Sequence, residues 1–287
     1  MKVLEVIQKS SEFLAKRGVD SPRLQIELLL AHQLKIPRLR LYLNFDQVVS
    51  EPDLASLRGM VVRRGDRVPL QQLIGSTSFA GIEIAVGPEV LIPRPETELL
   101  AEQSLGFLAA QTPFEGKGLR VLDYGTGSGC LAVFLATRCP QLQVHALDIS
   151  EAALNIARQN AATYGLSDRI TFHHGDGFLA LPQGMQFDAM VSNPPYIPTD
   201  AILDLQPEVR DHDPKLALDG GADGLTFYRR LASEAGAWVY PKGRIFLEIG
   251  DGQSEAVTEL LRAQNWVVES VCPDYSAVPR VVVASRG

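Results

Sequence analysis

The apolar positions of the chain keep one period up to about residue 75 and change it beyond. Over residues 1 to 75 they recur at helical spacing, with little strand signal. In Pro22 to Gln33 (PRLQIELLLAHQ), Ser21 stands at the N-cap position, Pro22 suits the first turn, and Leu24, Leu28 and Ala31 share a face. Leu54 to Val62, behind Ser50-Glu51-Pro52, follows the same logic. A compact helical domain is expected over 1–75. From Thr77 to Val86 (TSFAGIEIAV) the pattern partly alternates with period two, Gly87-Pro88 interrupts it, and Val90-Leu91-Ile92 is another short apolar run. These features predict a β-hairpin linker over 76–93.

The third part, 94–287, opens with helical spacing over Leu99 to Ala110. From Gly118 onward, strand-like and helix-like stretches alternate. The strands are expected at Arg120 to Tyr124, Gln143 to Ile149, Ile170 to His174, Phe187 to Ser192, Arg244 to Ile249, Trp266 to Cys272 and Arg280 to Ser285. Helices are expected to start near Gly129, Glu151, Asp176, Gly224 and Gln253. Buried strands joined by helical crossovers define an α/β fold, here a doubly wound, mostly parallel, seven-stranded Rossmann-like sheet. The link PDYSAV before the last strand is too short for a crossover, so the last two strands should be antiparallel.

With 46% apolar and 21% charged residues, the 287-residue chain has the make-up of an ordinary globular protein. Two lysines and a glutamate interrupt the opening MKVLEVIQKS, and no apolar run reaches membrane-spanning length, so a cytoplasmic protein is expected. Cys130, Cys139 and Cys272 cannot all pair and lack metal-ligand spacing; they read as small buried hydrophobes in a reduced compartment. The net charge of −7 is unevenly spread: residues 1 to 75 hold twelve Lys or Arg against eight Asp or Glu, and the remainder fifteen against twenty-six. The basic helical part could meet an acidic protein or a phosphate backbone, whereas the acidic remainder argues against broad nucleic-acid binding.

Candidate chemistry sits where the first and fourth of these strands end. The first runs into VLDYGTGSG, Val121 to Gly129. Gly125, Gly127 and Gly129 allow a tight strand-to-helix turn and a close ligand approach, with a helix N-terminus behind. The dinucleotide fingerprint GxGxxG fails because its last glycine is Cys130; the spacing GxGxG after Asp123 points instead to S-adenosylmethionine binding. Asp148, ending the next strand, is placed to accept hydrogen bonds from ribose hydroxyls. Beyond the third strand, Asp176 in GDGF could accept from an adenine amino group with an aromatic nearby, or simply N-cap a helix.

The fourth strand ends in VSNPPYIP. Pro194 biases Asn193 toward extended geometry, and the two prolines stiffen a loop in which no ladder can continue. The Asn193 side-chain oxygen and the Pro194 carbonyl are two acceptors, which suits an NH₂ group; the Tyr196 ring can stack on the planar system bearing it. An amide or the exocyclic amine of a base fits equally well at this level.

DYGTGSG, Asp148 and VSNPPYI together resemble class I methyltransferases that use S-adenosylmethionine to modify amino groups. LIPRPETE (Leu91 to Glu98), QQLIG and the preceding helical part narrow the resemblance to the peptide-chain release factor N5-glutamine methyltransferase (PrmC) family, and it spans essentially the whole chain. It implies methylation of the glutamine of the GGQ motif in release factors. Asn193, Pro194, Pro195 and Tyr196 would then hold the glutamine amide. Gly125, Thr126, Gly127, Ser128, Gly129, Asp148, Ile149, Asp176, Gly177 and Asn193 would hold the cofactor, with Thr97 in the pocket wall. Tyr124 and Gly177 depart from the family pattern, where Leu and an aromatic are common, so either Gly177 or Phe178 would lie against adenine.

A ribosomal protein glutamine is the nearer alternative target; adenine N6 or guanine N2 of a nucleic acid is the more distant one, since no target-recognition insertion follows NPPY. The basic helical domain is expected to dock the protein substrate, and the enzyme to act as a monomer. Asp211-His212-Asp213-Pro214 reads as a solvated loop and Gly220 to Gly224 as the start of a helix, because the latter lacks the Lys-Ser/Thr of a phosphate loop. His173 and His174, adjacent on one strand, point to opposite faces and cannot chelate together.

Overall fold

The computed structural model describes residues 1–111 and 118–286. Two compact units emerge, Met1–Ser76 with Gln206–His212, and Thr77–Leu205 with Asp213–Gly287.

The first unit holds α1 (Val3–Lys16), α2 (Pro22–Leu34), α3 (Arg38–Leu43), α4 (Glu51–Gly65) and α5 (Leu70–Ile74), packed around Ile7, Leu14, Ile26, Leu29, Leu30 and Leu41. At α4 the Ser50 hydroxyl accepts from the Asp53 N–H, as an N-cap should. At α2 the expectation fails in two ways: Ser21 is left-handed (φ 47°) and makes no side-chain cap, and Leu24 is exposed while Ile26, Leu29 and Leu30 face inward. The helix is apolar around most of its circumference, so its pattern does not choose a face. Its buried Glu27 is tolerated because Arg23 Nε (3.0 Å), Arg38 Nη1 (3.0 Å) and the Tyr42 hydroxyl (2.7 Å) all donate to it. In the segment 206–212, Glu208 takes hydrogen bonds from Arg64 Nη2 (2.7 Å) and from Arg67 Nε and Nη2 (2.8 and 2.6 Å). Burial alone would raise the Glu208 pKa, but Arg67 and Arg64 outweigh it and hold the carboxyl down at about 2.

In the second unit, β1 (Ser76–Phe79) and β2 (Ile82–Ala85) form the hairpin, turning at Ala80 and Gly81 with positive φ at both. The hairpin is more than a connector: Phe79 and Ile84 are buried in the same cluster as Leu131 and Phe134. Val90 to Ile92 forms no strand, and α6 (Pro95–Ala109) starts four residues earlier than its apolar spacing suggests, because Pro95 takes the first turn.

The remaining strands are β3 (Leu119–Tyr124), β4 (Leu142–Asp148), β5 (Ile170–His174), β6 (Phe187–Ser192), β7 (Val239–Glu248), β8 (Trp266–Pro273) and β9 (Pro279–Arg286). They form one sheet in the order β5-β4-β3-β6-β7-β9-β8, parallel through β7, with β9 antiparallel to both neighbours. The α/β, doubly wound, seven-stranded expectation holds. α7 (Cys130–Arg138), α8 (Glu151–Thr163) and α6 share one core cluster with Val121 and Val144; α9 (Thr226–Glu234) and α10 (Ser254–Ala263) share another with Leu122 and Met190. Alternate β3 residues therefore serve opposite faces. The helix expected near Asp176 is only a 3₁₀ turn, Gly177–Ala180. Residues 197 to 218 carry single helical turns too short to show a period. None of the described helices is long and apolar enough to cross a membrane.

Candidate active site

The strand order reverses between β3 and β6, whose neighbours lie on opposite sides, and the crevice beyond the carboxyl ends of such strands is where α/β sheets bind ligands. A cleft of about 360 Å³ opens there. Asn193, Pro194, Pro195, Gly125, Thr126, Gly127, Ser128, Asp148, Ile149, Asp176, Gly177 and Thr97 all line it. Gly129 and Tyr196 do not.

After β3 the Gly125 and Thr126 N–H groups both donate to the Leu147 carbonyl at 2.9 Å, which folds the loop over the end of β4. Gly127 N–H then donates to Asp148 Oδ2 (2.8 Å) while Ser150 N–H donates to Oδ1 (2.9 Å). Asp148 is thus fixed by the backbone, and each of its oxygens keeps a lone pair for a hydroxyl. A Cβ on Gly125 or Gly127 would meet nothing within 4 Å; their positive φ (77° and 54°) is what requires glycine. At Gly129 the φ is also positive (77°) and a steric requirement is added, because a Cβ there would come 3.0 Å from the Ala157 Cβ; glycine lets α7 start against α8.

Asp123, wholly buried beneath the loop, accepts from the Thr126 hydroxyl (2.6 Å) and the Ala132 N–H (3.2 Å) through Oδ2. Its Oδ1 has no hydrogen-bond partner among the described residues, and burial pushes its pKa up to about 7.

Asp176 caps nothing. It forms an ion pair with Arg230 of α9, which also donates to the Asp176 carbonyl at 3.1 Å. A side chain on Gly177 would collide with Arg230 and the Tyr124 hydroxyl, so this departure from the family pattern follows from its neighbours. Phe178 stacks on Trp238 at 5.6 Å inside the core and is absent from the cleft; the aromatics that line the cleft are Tyr124 and Phe227.

At the end of β6, Asn193 Nδ2 donates to the Thr97 hydroxyl in the first turn of α6 (3.1 Å). Among the described residues, Asn193 Oδ1 and the Pro194 carbonyl accept no hydrogen bond. The Tyr196 backbone is held from behind: Gln253 Nε2 donates to its carbonyl (2.9 Å), and a Cβ on Gly220, Gly224 or Gly250 would strike Tyr196 atoms at 3.0 Å or less. The GGADG glycines therefore admit the NPPY loop, besides preceding α9. The DHDP segment is not simply solvated: Asp213 is buried and takes a 2.5 Å hydrogen bond from Arg94 of IPRPETE, and Pro214, Leu216 and Ala217 wall the cleft. Arg94, Arg230, Phe227 and Gln253 escaped sequence reasoning because each lies far along the chain from its partner.

A parallel sheet with one antiparallel strand, and a cleft formed by a GxGxG loop, a carboxylate ending β4 and NPPY, define an α/β methyltransferase. Residues 5–75 match the PrmC N-terminal domain and residues 105–205 the Methyltransferase small domain. The chain is 40% identical over 280 residues to the release factor glutamine methyltransferase of Geobacter sulfurreducens, covering 98% of this chain and 95% of that one. It is 40% identical over 287 residues to that of Moorella thermoacetica, covering 100% and 99%. It belongs to the release factor glutamine methyltransferase family. Among solved structures, a methyltransferase from Pyrococcus furiosus (18% identity, TM-score 0.52, 73% and 91% of the two chains) shares the fold. So does a Thermus thermophilus 16S rRNA methyltransferase in complex with AdoMet and guanosine (22%, 0.51, 74% and 50%).

Proposed function

We propose that the protein methylates the side-chain amide nitrogen of the glutamine in the GGQ motif of peptide-chain release factors, with S-adenosylmethionine as donor. The observation that carries this reading is the pair of open acceptors at the cleft, Asn193 Oδ1 and the Pro194 carbonyl, opposite a carboxylate-anchored glycine loop. Two acceptors held on a proline-stiffened loop match the two N–H donors of a primary amide.

The described residues fit the cofactor. Asp148 would take the ribose hydroxyls, the loop from Gly125 to Ser128 would lie along the amino-acid part of the ligand, and Asp176, Gly177, Ile149 and Phe227, which line the same cleft, would border the base. Bound there, S-adenosylmethionine supplies a methyl group already activated on a sulfonium. What remains for the chain is positioning: Asn193 and Pro194 orient the target nitrogen. That nitrogen gains the methyl carbon as the methyl–sulfonium bond breaks, leaving the thioether S-adenosylhomocysteine, and gives up one proton to water.

A protein target is favoured over a base because the relatives with this full-length identity are named for release factor glutamine, and because the second unit carries the acidic share of the charge. Residues 1–75 are proposed to dock the substrate protein. With a release factor as acceptor and labelled S-adenosylmethionine, Asn193→Ala should lower the transfer rate by about 10²-fold, with cofactor affinity within severalfold of native by calorimetry. Native rates in that variant would refute the assignment.

A further inference from the structure

Glu248 ends β7 beside the NPPY loop, 1% exposed, and nothing in the transfer described above uses it. Thr97 and Asn193 lie within reach of its carboxyl and lower its pKa, and its Oε2 has no hydrogen-bond partner among the described residues. Thr97 Oγ1 already accepts from Asn193 Nδ2 at 3.1 Å, so the hydroxyl hydrogen of Thr97 is available for an acceptor, and a carboxylate can only accept. This matters because a primary amide has two ends of nearly equal size. Turned round, Asn193 would offer the cleft two donors, and an NH₂ target would meet like with like. A carboxylate behind the amide removes that alternative.

We propose that Glu248 is a positioning residue for methyl transfer: with Thr97 it locks the Asn193 amide nitrogen inward and Oδ1 toward the cleft. Its negative charge also polarises that amide, so Oδ1 accepts more strongly as the target nitrogen becomes positive in the transition state. The proposal rests on the reading that Asn193 holds a planar NH₂ group. It adds a residue whose contribution appears in turnover and not in cofactor binding.

Glu248→Gln keeps the shape, removes the charge and introduces a donor where Oε2 finds no partner. Turnover on a GGQ-bearing release factor should fall at least tenfold, with S-adenosylhomocysteine affinity unchanged. Thr97→Val should lose a similar factor, and Thr97→Ser should recover most of it. The native pH profile should show turnover rising as Glu248 ionises. Burial holds that carboxyl up at about 7; Glu96 also raises it, Thr97, Arg280 and Asn193 lower it, and Tyr196, Tyr228 and Cys130 face it as well. The Gln variant should lack that limb.

Without any substrate, the Asn193 side-chain amide resonance should shift with pH in the native protein and stay still in Glu248→Gln. A variant with native turnover and an unaltered limb would overturn the proposal, as would a loss of cofactor affinity equal to the loss of turnover. If Glu248→Gln does not fold, equal rates in Thr97→Val and Thr97→Ser overturn it. If the native protein methylates no release factor, the proposed function fails, while the Asn193 resonance still decides the pairing.

Discussion

At Asn193, whether the amide presents oxygen or nitrogen to the cleft separates accepting from donating, and three side chains distant in sequence settle it: Thr97 on α6, Glu248 on β7 and Asn193 itself. Sequence reading reaches the last of these because NPPY is contiguous, and places Thr97 only in the pocket wall. Glu248 gives no signal in a strand of apolar residues. Asp123 is a similar case, a buried acid under the glycine loop whose charge the fold disfavours. Its folded pKa, near 7, lies above the ordinary value of 3.8, so the folded state binds more protons between those limits and stability falls as pH rises through them. Asp123→Asn removes that slope. In urea titrations the variant should gain on the native protein by on the order of 2 kcal/mol between pH 5 and pH 8. A constant difference across that range would place the Asp123 pKa at its unfolded value.

Among the elements, those with a full period or a full motif were legible, and those without were not. The seven sheet strands are apolar enough to read to within a few residues; β7 alone proves much longer, because Tyr240 to Gly243 looks like a turn and pairs only in part. Between NPPY and α9 the chain forms single turns whose placement comes from long-range partners: Arg94 for Asp213, Arg64 and Arg67 for Glu208. Glu208 belongs to the helical unit by these bonds, and Arg64, with 4% of its side chain exposed, depends on them. Glu208→Gln leaves that guanidinium without its countercharge and should destabilise the helical unit by about 3 kcal/mol at pH 7. Since the folded pKa is depressed to about 2, the contribution is fully present above the unfolded value near 4.5 and is lost as pH falls through 2. The gap between variant and native melting curves should therefore narrow from pH 5 toward pH 2; a gap independent of pH would show that packing, not charge, is at work.

Over the whole molecule, the change of apolar period near residue 76 corresponds to a change in compact unit, with one exception that no local pattern reveals: residues 206 to 212 return to the helical unit from the middle of the other. The division of charge, basic in the first 75 residues and acidic beyond, supports the proposed protein partner over a nucleic acid. The central claim is the identity of the methylated atom. Incubation with methyl-labelled S-adenosylmethionine and an equimolar mixture of a release factor and duplex DNA or RNA, followed by mass spectrometry of the digested products, locates the label. The account predicts one added methyl on the side-chain nitrogen of the GGQ glutamine and none on nucleotides. Label on a base, or on any residue of the factor other than that glutamine, would contradict it.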